Sequence, residues 1–137
     1  MVRYEVIHKR MRKLTEYLLI LKDLQKYSYE QFHKEPTIYG SCERFLHLAI
    51  EATLDIGNHL VSDLNLGVVN KYRDIPETLF NHNYISNDLK KTWIQIIGFR
   101  NTLVHDYIDI DKKIIFHILH NNLDDFNRLK KFFADFL

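Results

Sequence analysis

A chain of 137 residues and 16.5 kDa has the length of one domain with its own core, against roughly 100 to 200 residues per domain. Hydrophobic residues make up 46% and charged residues 27%, with 4 Gly and 2 Pro, which excludes a disordered, collagen-like or low-complexity chain. Nineteen Lys and Arg against 18 Asp and Glu leave a formal charge of +1, so bulk electrostatic capture of nucleic acid is excluded and any anion site must be local.

Residues 1–137 are expected to form a single all-α domain, an up-and-down bundle of four main helices with a short extra one. Val6, Ile7, Met11, Leu14, Leu18, Leu21 and Leu24 recur at three and four, predicting an outer helix from about Tyr4 to Lys26. Its polar back face carries Lys9, Arg12, Lys13, Glu16 and Lys22. Ser28 to Pro36 reads as a turn with room for one helical turn of its own. A long second helix, about Thr37 to Leu64, has two apolar faces and therefore needs two partners. The first face is Phe45, Ala49, Ala52, Ile56 and Leu60; the second, Leu46, Ile50, Leu54 and Val61, offers a surface for dimerisation. Between them runs a narrow polar wedge of Arg44, His47, Glu51, Asp55 and Asn58, either the lining of a groove or a solvated strip with pairs such as His47 with Glu51.

Leu66 to Arg73 reads as a loop, after which Asp74, Pro76 and Glu77 fit N-cap, N2 and N3 of a short helix. Ser86 caps the next helix, with the apolar set Leu89, Trp93, Ile96, Ile97, Leu103 and Val104, which is expected to stop near Asn101 to His105. A final helix begins behind Asp109 or Asp111 and carries Ile115 through Phe136, with a possible break at Asn121 and Asn122.

Arg100 falls in the middle of the apolar stripe formed by Leu89, Trp93, Ile96 and Leu103. A guanidinium stays ionised and is costly to desolvate, so it is either paired with an acid such as Glu51 or Asp55 or has its head in a cleft where an anion sits. On an unbroken helix His105 lies about 140° round from Arg100, while Tyr107 returns to its face. A break after the arginine gathers Arg100, Asn101, His105 and Tyr107 around one helix end. Such a set has what metal-free scission of RNA requires: a proton acceptor for the ribose 2′-OH, a proton donor for the departing 5′-oxygen, and positive charge on the phosphorane. Histidine can serve as base or acid near neutral pH, and arginine offers a fixed fork to the phosphate oxygens. One histidine cannot do both jobs at once, so a twofold dimer bringing two copies of His105 to one cleft is a natural solution.

Spacing alone is weak, since Arg3 to His8 repeats the Arg-x4-His interval by chance. Glu5 with His8 and Glu30 with His33 are both Glu-x-x-His, yet the further inward glutamates of a di-metal site cannot be placed, and His59, His82, His117 and His120 have no zinc-like spacing to Cys42 or to one another. No metal and no cofactor are expected. The single cysteine, Cys42, cannot close an intrachain disulfide, MVRYEVIHKRMRK lacks a signal-like apolar core, and no apolar run reaches the ~20 residues of a membrane helix. A cytoplasmic protein without a membrane span is expected.

Gly98 to Tyr107, GFRNTLVHDY, resembles the Arg-Asn-x-x-x-His-x-Tyr signature of HEPN-domain proteins, and among them the HepT-type toxin ribonucleases. Glu43 to Ile56 is similar to that family's second helix and Asp74-Ile75-Pro76 to its loop-to-helix step, so the likeness covers nearly the whole chain. The resemblance implies the toxin of a type VII-like HEPN/MNT toxin–antitoxin system. This would be a metal-independent endoribonuclease cutting tRNA or mRNA, with Arg100 and His105 catalytic at a cleft across a homodimer and Asn101 as polar support. It further implies a partner, a nucleotidyltransferase antitoxin of the MNT type, that silences the toxin by moving AMP from ATP to Tyr107. Added bulk and a negative phosphate beside the arginine would displace an RNA phosphate. Arg44, Glu51 and Asp55 are expected to support Arg100 across the bundle. RNA affinity would come from a restricted patch, Arg100 with Lys90, Lys91 or Arg44. A non-catalytic HEPN module binding a nucleotide or partner through the same residues is the alternative, and a purely structural bundle is another.

Overall fold

The structure, a computed structural model, describes the backbone of residues 2–105 and 111–137 and the side chains of 2–103 and 111–137. Seven helices and no strand occur among the described residues: α1 (Tyr4–Leu24), α2 (Tyr29–Lys34), α3 (Pro36–Asp63), α4 (Asp74–Asn81), α5 (Asn87–His105), α6 (Lys112–Asn121) and α7 (Leu123–Ala134). None is long and apolar enough to cross a membrane.

The helix boundaries follow from local chemistry. The turn expected after α1 holds a short helix, because Ser28 and Gln31 form a reciprocal capping box and Phe32 is buried beneath it. Pro36 forces Glu35 out of the helical region (φ −103°, ψ 105°), ending α2, and then opens α3 at the position where a missing N–H costs nothing. Asn65 (φ 56°) and Asn83 (φ 64°) end α3 and α4 in left-handed conformation. In each case two bonds close the helix end: Leu66 N–H to Val61 O and Asn65 N–H to Ser62 O in the first, Tyr84 N–H to Leu79 O and Asn83 N–H to Phe80 O in the second. Ser86 Oγ accepts from Leu89 N–H at the start of α5, and Asp111 from Lys113 N–H at the start of α6. The expected final helix is two, broken at Asn122 (φ −118°, ψ 4°).

Helix α3 is the axis of the bundle and packs against all six others. Its two apolar faces therefore both find partners within the protomer: Leu46, Ala49, Ile50, Leu54, Ile56, Leu60 and Val61 are all buried. This corrects the expectation that the second face is free for dimerisation. Helix α3 comes close to its neighbours at Gly57, where a Cβ would stand 2.5 Å from Ile75 Cγ2 and 2.8 Å from the Trp93 ring. Trp93 in turn meets Phe133 edge to face, with ring centroids 5.7 Å apart. Cys42 is buried in the same core, and burial pushes its thiol up to about 12, far from thiolate reactivity.

Candidate functional site

Helix α5 runs to His105, within the expected stop between Asn101 and His105, and has no break directly after Arg100. Leu103 packs against the core and the Thr102 hydroxyl bonds back to the Gly98 carbonyl, both compatible with continued helix. Five residues on from Arg100, the backbone position of His105 is thus about 140° round the axis. The side chain of His105, and Tyr107 altogether, lie outside the described residues.

Arg100 keeps 15% of its side chain exposed and donates from Nε to Glu51 Oε1 at 2.7 Å. Nη1 approaches the Asn101 side-chain oxygen at 3.4 Å, and the guanidinium carbon sits 4.6 Å from the centre of the Tyr72 ring. Pairing and presentation coexist, because one edge of the fork is tied to the acid while the residue lines a cavity of about 1210 Å³. The acid offsets part of the desolvation cost and the aromatic face adds a cation–π contact.

The cavity is walled by α1, α3, the 69–73 segment and α5. Three members of the polar wedge line it, Glu51, Asp55 and Asn58, whereas Arg44 and His47 do not, so the wedge is part groove wall and part strip outside the cavity. Glu51 is also met by His47 Nε2 at 3.3 Å. Asp55 does not reach Arg100: it pairs with Arg10 from α1 and lies 3.7 Å from His59. Arg44 is exposed and is not part of the lining, so of the three expected supports of Arg100 only Glu51 touches it. Lys90 and Lys91 are not in the lining either, and Lys90 Nζ rests over the Phe80 ring at 4.3 Å. The cations that do line the cavity beside Arg100 are Lys9, Arg10 and Lys13 of α1 with Lys71 and Arg73 across from them.

Tyr72 and these cations were missed for identifiable reasons. Lys9 and Lys13 look like a solvated back face because helical periodicity reports which residues avoid the core, not what stands opposite them. The 66–73 segment has no periodicity at all. Its placement depends on Asp74, which is not the N-cap of α4 but accepts from Asn70 and Lys71 N–H (3.0 and 3.1 Å), folding the turn that carries Lys71, Tyr72 and Arg73 to the cavity. Those backbone bonds, Lys71 first, hold the Asp74 carboxyl below the ordinary carboxylate range. Arg3, the cation of the N-terminal Arg-x4-His interval, is engaged elsewhere, with Asp63 at 3.0 Å and His59 Nδ1 at 2.8 Å.

The chain is 32% identical over 98 residues to an mRNA nuclease HepT of Shewanella oneidensis, spanning 72% of this chain and 74% of that one. It is 29% identical over 111 residues to a tRNA nuclease HepT of Aphanizomenon flos-aquae, spanning 81% and 76%. The fold matches a tri-AMPylated Shewanella oneidensis HEPN toxin solved in complex with MNT antitoxin, with TM-score 0.86, 25% identity and coverage of 95% and 97%. The cytosolic Bacillus subtilis protein YutE, of unknown function, shares the fold at TM-score 0.85 with 19% identity, over 99% of this chain and 91% of that one. Residues 7–132, nearly the full length, match the family described as Ribonuclease HepT-like, and the chain belongs to that family.

Proposed function

We propose that this chain is the toxin of a type VII-like HEPN/MNT pair, a metal-independent endoribonuclease that acts in the cytoplasm on tRNA or mRNA as a homodimer. The observation that carries this reading is the presentation of Arg100, one edge fixed by Glu51, at a cavity rich in cations. The family membership and the relatives named as nucleases support it.

In this reading the guanidinium holds a non-bridging phosphate oxygen and gains strength as charge builds on the phosphorane. The ribose 2′-oxygen forms a bond to phosphorus as its proton passes to one His105. The bond from phosphorus to the 5′-oxygen breaks as that oxygen takes a proton from a second histidine, the partner copy's, leaving a 2′,3′-cyclic phosphate. Asn101, beside Nη1, orients the fork. The antitoxin silences the site when the Tyr107 hydroxyl oxygen attacks the α-phosphorus of ATP, pyrophosphate leaves, and the phenolic proton is lost to a base. The resulting anion competes for Arg100.

The test incubates purified wild type and His105→Ala with tRNA and mRNA in EDTA. Cleavage by the wild type with a loss of about 10²-fold or more in the variant is expected. Equal cleavage by both, or none by the wild type, overturns the reading in favour of a non-catalytic binding module. With antitoxin and ATP, intact mass should rise by AMP increments in the wild type and not in Tyr107→Phe; equal gains in both would place the modification elsewhere.

A further inference from the structure

The cavity beside Arg100 is lined by six cationic side chains and two carboxylates in a chain whose net charge is only +1. Both carboxylates are already held, Glu51 by Arg100 and Asp55 by Arg10, so they neutralise little of what remains. Arg73 is tied to Glu77 at 2.6 Å. Lys9 and Lys71, on opposite walls, form no ion pair among the described residues, and Lys13 makes only an exposed contact of 3.5 Å with Glu16. All three lysines are exposed. Lys9 and Lys13 lie one turn apart on the same face of α1, a spacing comparable with that of successive phosphates along a strand.

Exposed lysines that are unpaired or, for Lys13, held only by a surface contact, gathered around a mostly buried arginine, suit a ligand that carries several phosphates. The volume, about 1210 Å³, exceeds the ~300–1,000 Å³ of an ordinary small-molecule site. Tyr17 and Tyr72, with Ala52, Val69 and Ile97, line the same cavity and add aromatic and apolar surface of the kind on which unstacked bases rest.

We propose that Lys9 and Lys13 on one wall and Lys71 on the other bind the phosphates of single-stranded RNA that flank the phosphate held by Arg100. The proposal rests on the nuclease reading and adds to it the path of the strand. Phosphate contacts of this kind fix register and do not read sequence.

The test measures binding of a fluorescein-labelled single-stranded RNA oligonucleotide by anisotropy across a salt series, in a His105→Ala background that keeps the RNA whole. The triple variant Lys9→Ala/Lys13→Ala/Lys71→Ala is compared with Lys22→Ala/Lys113→Ala/Lys131→Ala, which removes the same charge from exposed lysines outside this cavity. At about 0.1 M salt the first triple should bind at least about tenfold more weakly and flatten the slope of log K against log salt by about 2, near 0.7 per lost phosphate contact; the second should match the parent. Equal losses in both triples overturn the proposal, because net charge alone would explain them. If the wild type cuts RNA in EDTA while the first triple binds normally in the His105→Ala background and cuts normally with His105 restored, the proposed path fails and the nuclease reading survives. If the first triple loses binding but the wild type cuts nothing, the path stands and the nuclease reading fails. Retained RNA binding with loss of the nucleotidyltransferase on gel filtration would assign the surface to a protein partner and overturn the proposal.

Discussion

At the scale of single residues, the decisive pair is Arg100 with Glu51. A guanidinium with 15% of its side chain exposed needs a counter-charge, and Glu51, itself 35% exposed, supplies it from the neighbouring helix without closing the arginine off from the cavity. Glu51→Gln should therefore lower stability by roughly 1–2 kcal/mol in urea unfolding, less than the ~3–5 of a fully buried pair because solvent screens the acid. Its cleavage rate should fall at least about tenfold at saturating RNA, since an unanchored fork no longer meets the phosphorane in one geometry. Unchanged rate with reduced stability would confine Glu51 to a structural role. A second residue effect is titratable. The Asp63 carboxyl is held below its ordinary value of 3.8, first by the Arg3 side-chain hydrogen bond and also by the Arg3 backbone N–H and the charges of Arg3 and His59. A depressed folded value means stability that is fully present above the unfolded carboxylate range and lost as pH falls through the folded value. Asp63→Asn should cost roughly 1–2 kcal/mol at neutral pH and show a shallower decline below about pH 4. Parallel acid-unfolding curves would dismiss the pair.

At the scale of elements, helix ends were legible from local chemistry, and helix crossings were not. Ser28, Ser86, Pro36 and Asp111 act where short-range rules place them, because a cap or a fixed φ works within four residues. The two asparagine terminations at Asn65 and Asn83 obey equally local rules and could have been read from asparagine's tolerance of positive φ. Continuation of α5 past Arg100 follows the apolar set that runs to Leu103, which is half-buried on the core. The crossing of α3 over α4 and α5 depends on Gly57 having no side chain. Gly57→Ala should destabilise by about 1–3 kcal/mol through displacement of Trp93 and Ile75. Trp93→Phe removes part of the clashing ring, so the double variant should be more stable than the sum of the two losses predicts. Simple additivity by denaturant melts would mean the clash relaxes elsewhere.

At the scale of the whole molecule, the enclosure of α3 within one protomer removes the surface that the sequence offered for dimerisation. The cavity, bounded by α5 on one side, is where a composite site is proposed instead. Continuous helix carries the position of His105 away from Arg100 within one chain, which favours a site in which each arginine works with the other protomer's histidine. Mixing Arg100→Ala and His105→Ala proteins, each inactive alone, should then restore RNA cleavage well above either parent. A mixture no more active than its components would argue for a site complete in one chain.

The sequence by itself determined the all-helical class, most helix starts, the two apolar faces of α3 and the motif Arg100-Asn101 with His105 and Tyr107, because periodicity, caps and short motifs are written within a few turns of chain. Only the tertiary structure decided which acid meets Arg100, 49 positions away in the chain, and which lysines stand around it. Glu51 and Asp55 are alike in type and face, one turn apart on α3, and their different partners are set by how α1 and α5 cross it. The same holds for Lys9 and Lys13: a polar face looks identical from within its helix whether water or a cavity lies beyond, and packing of distant segments makes the difference.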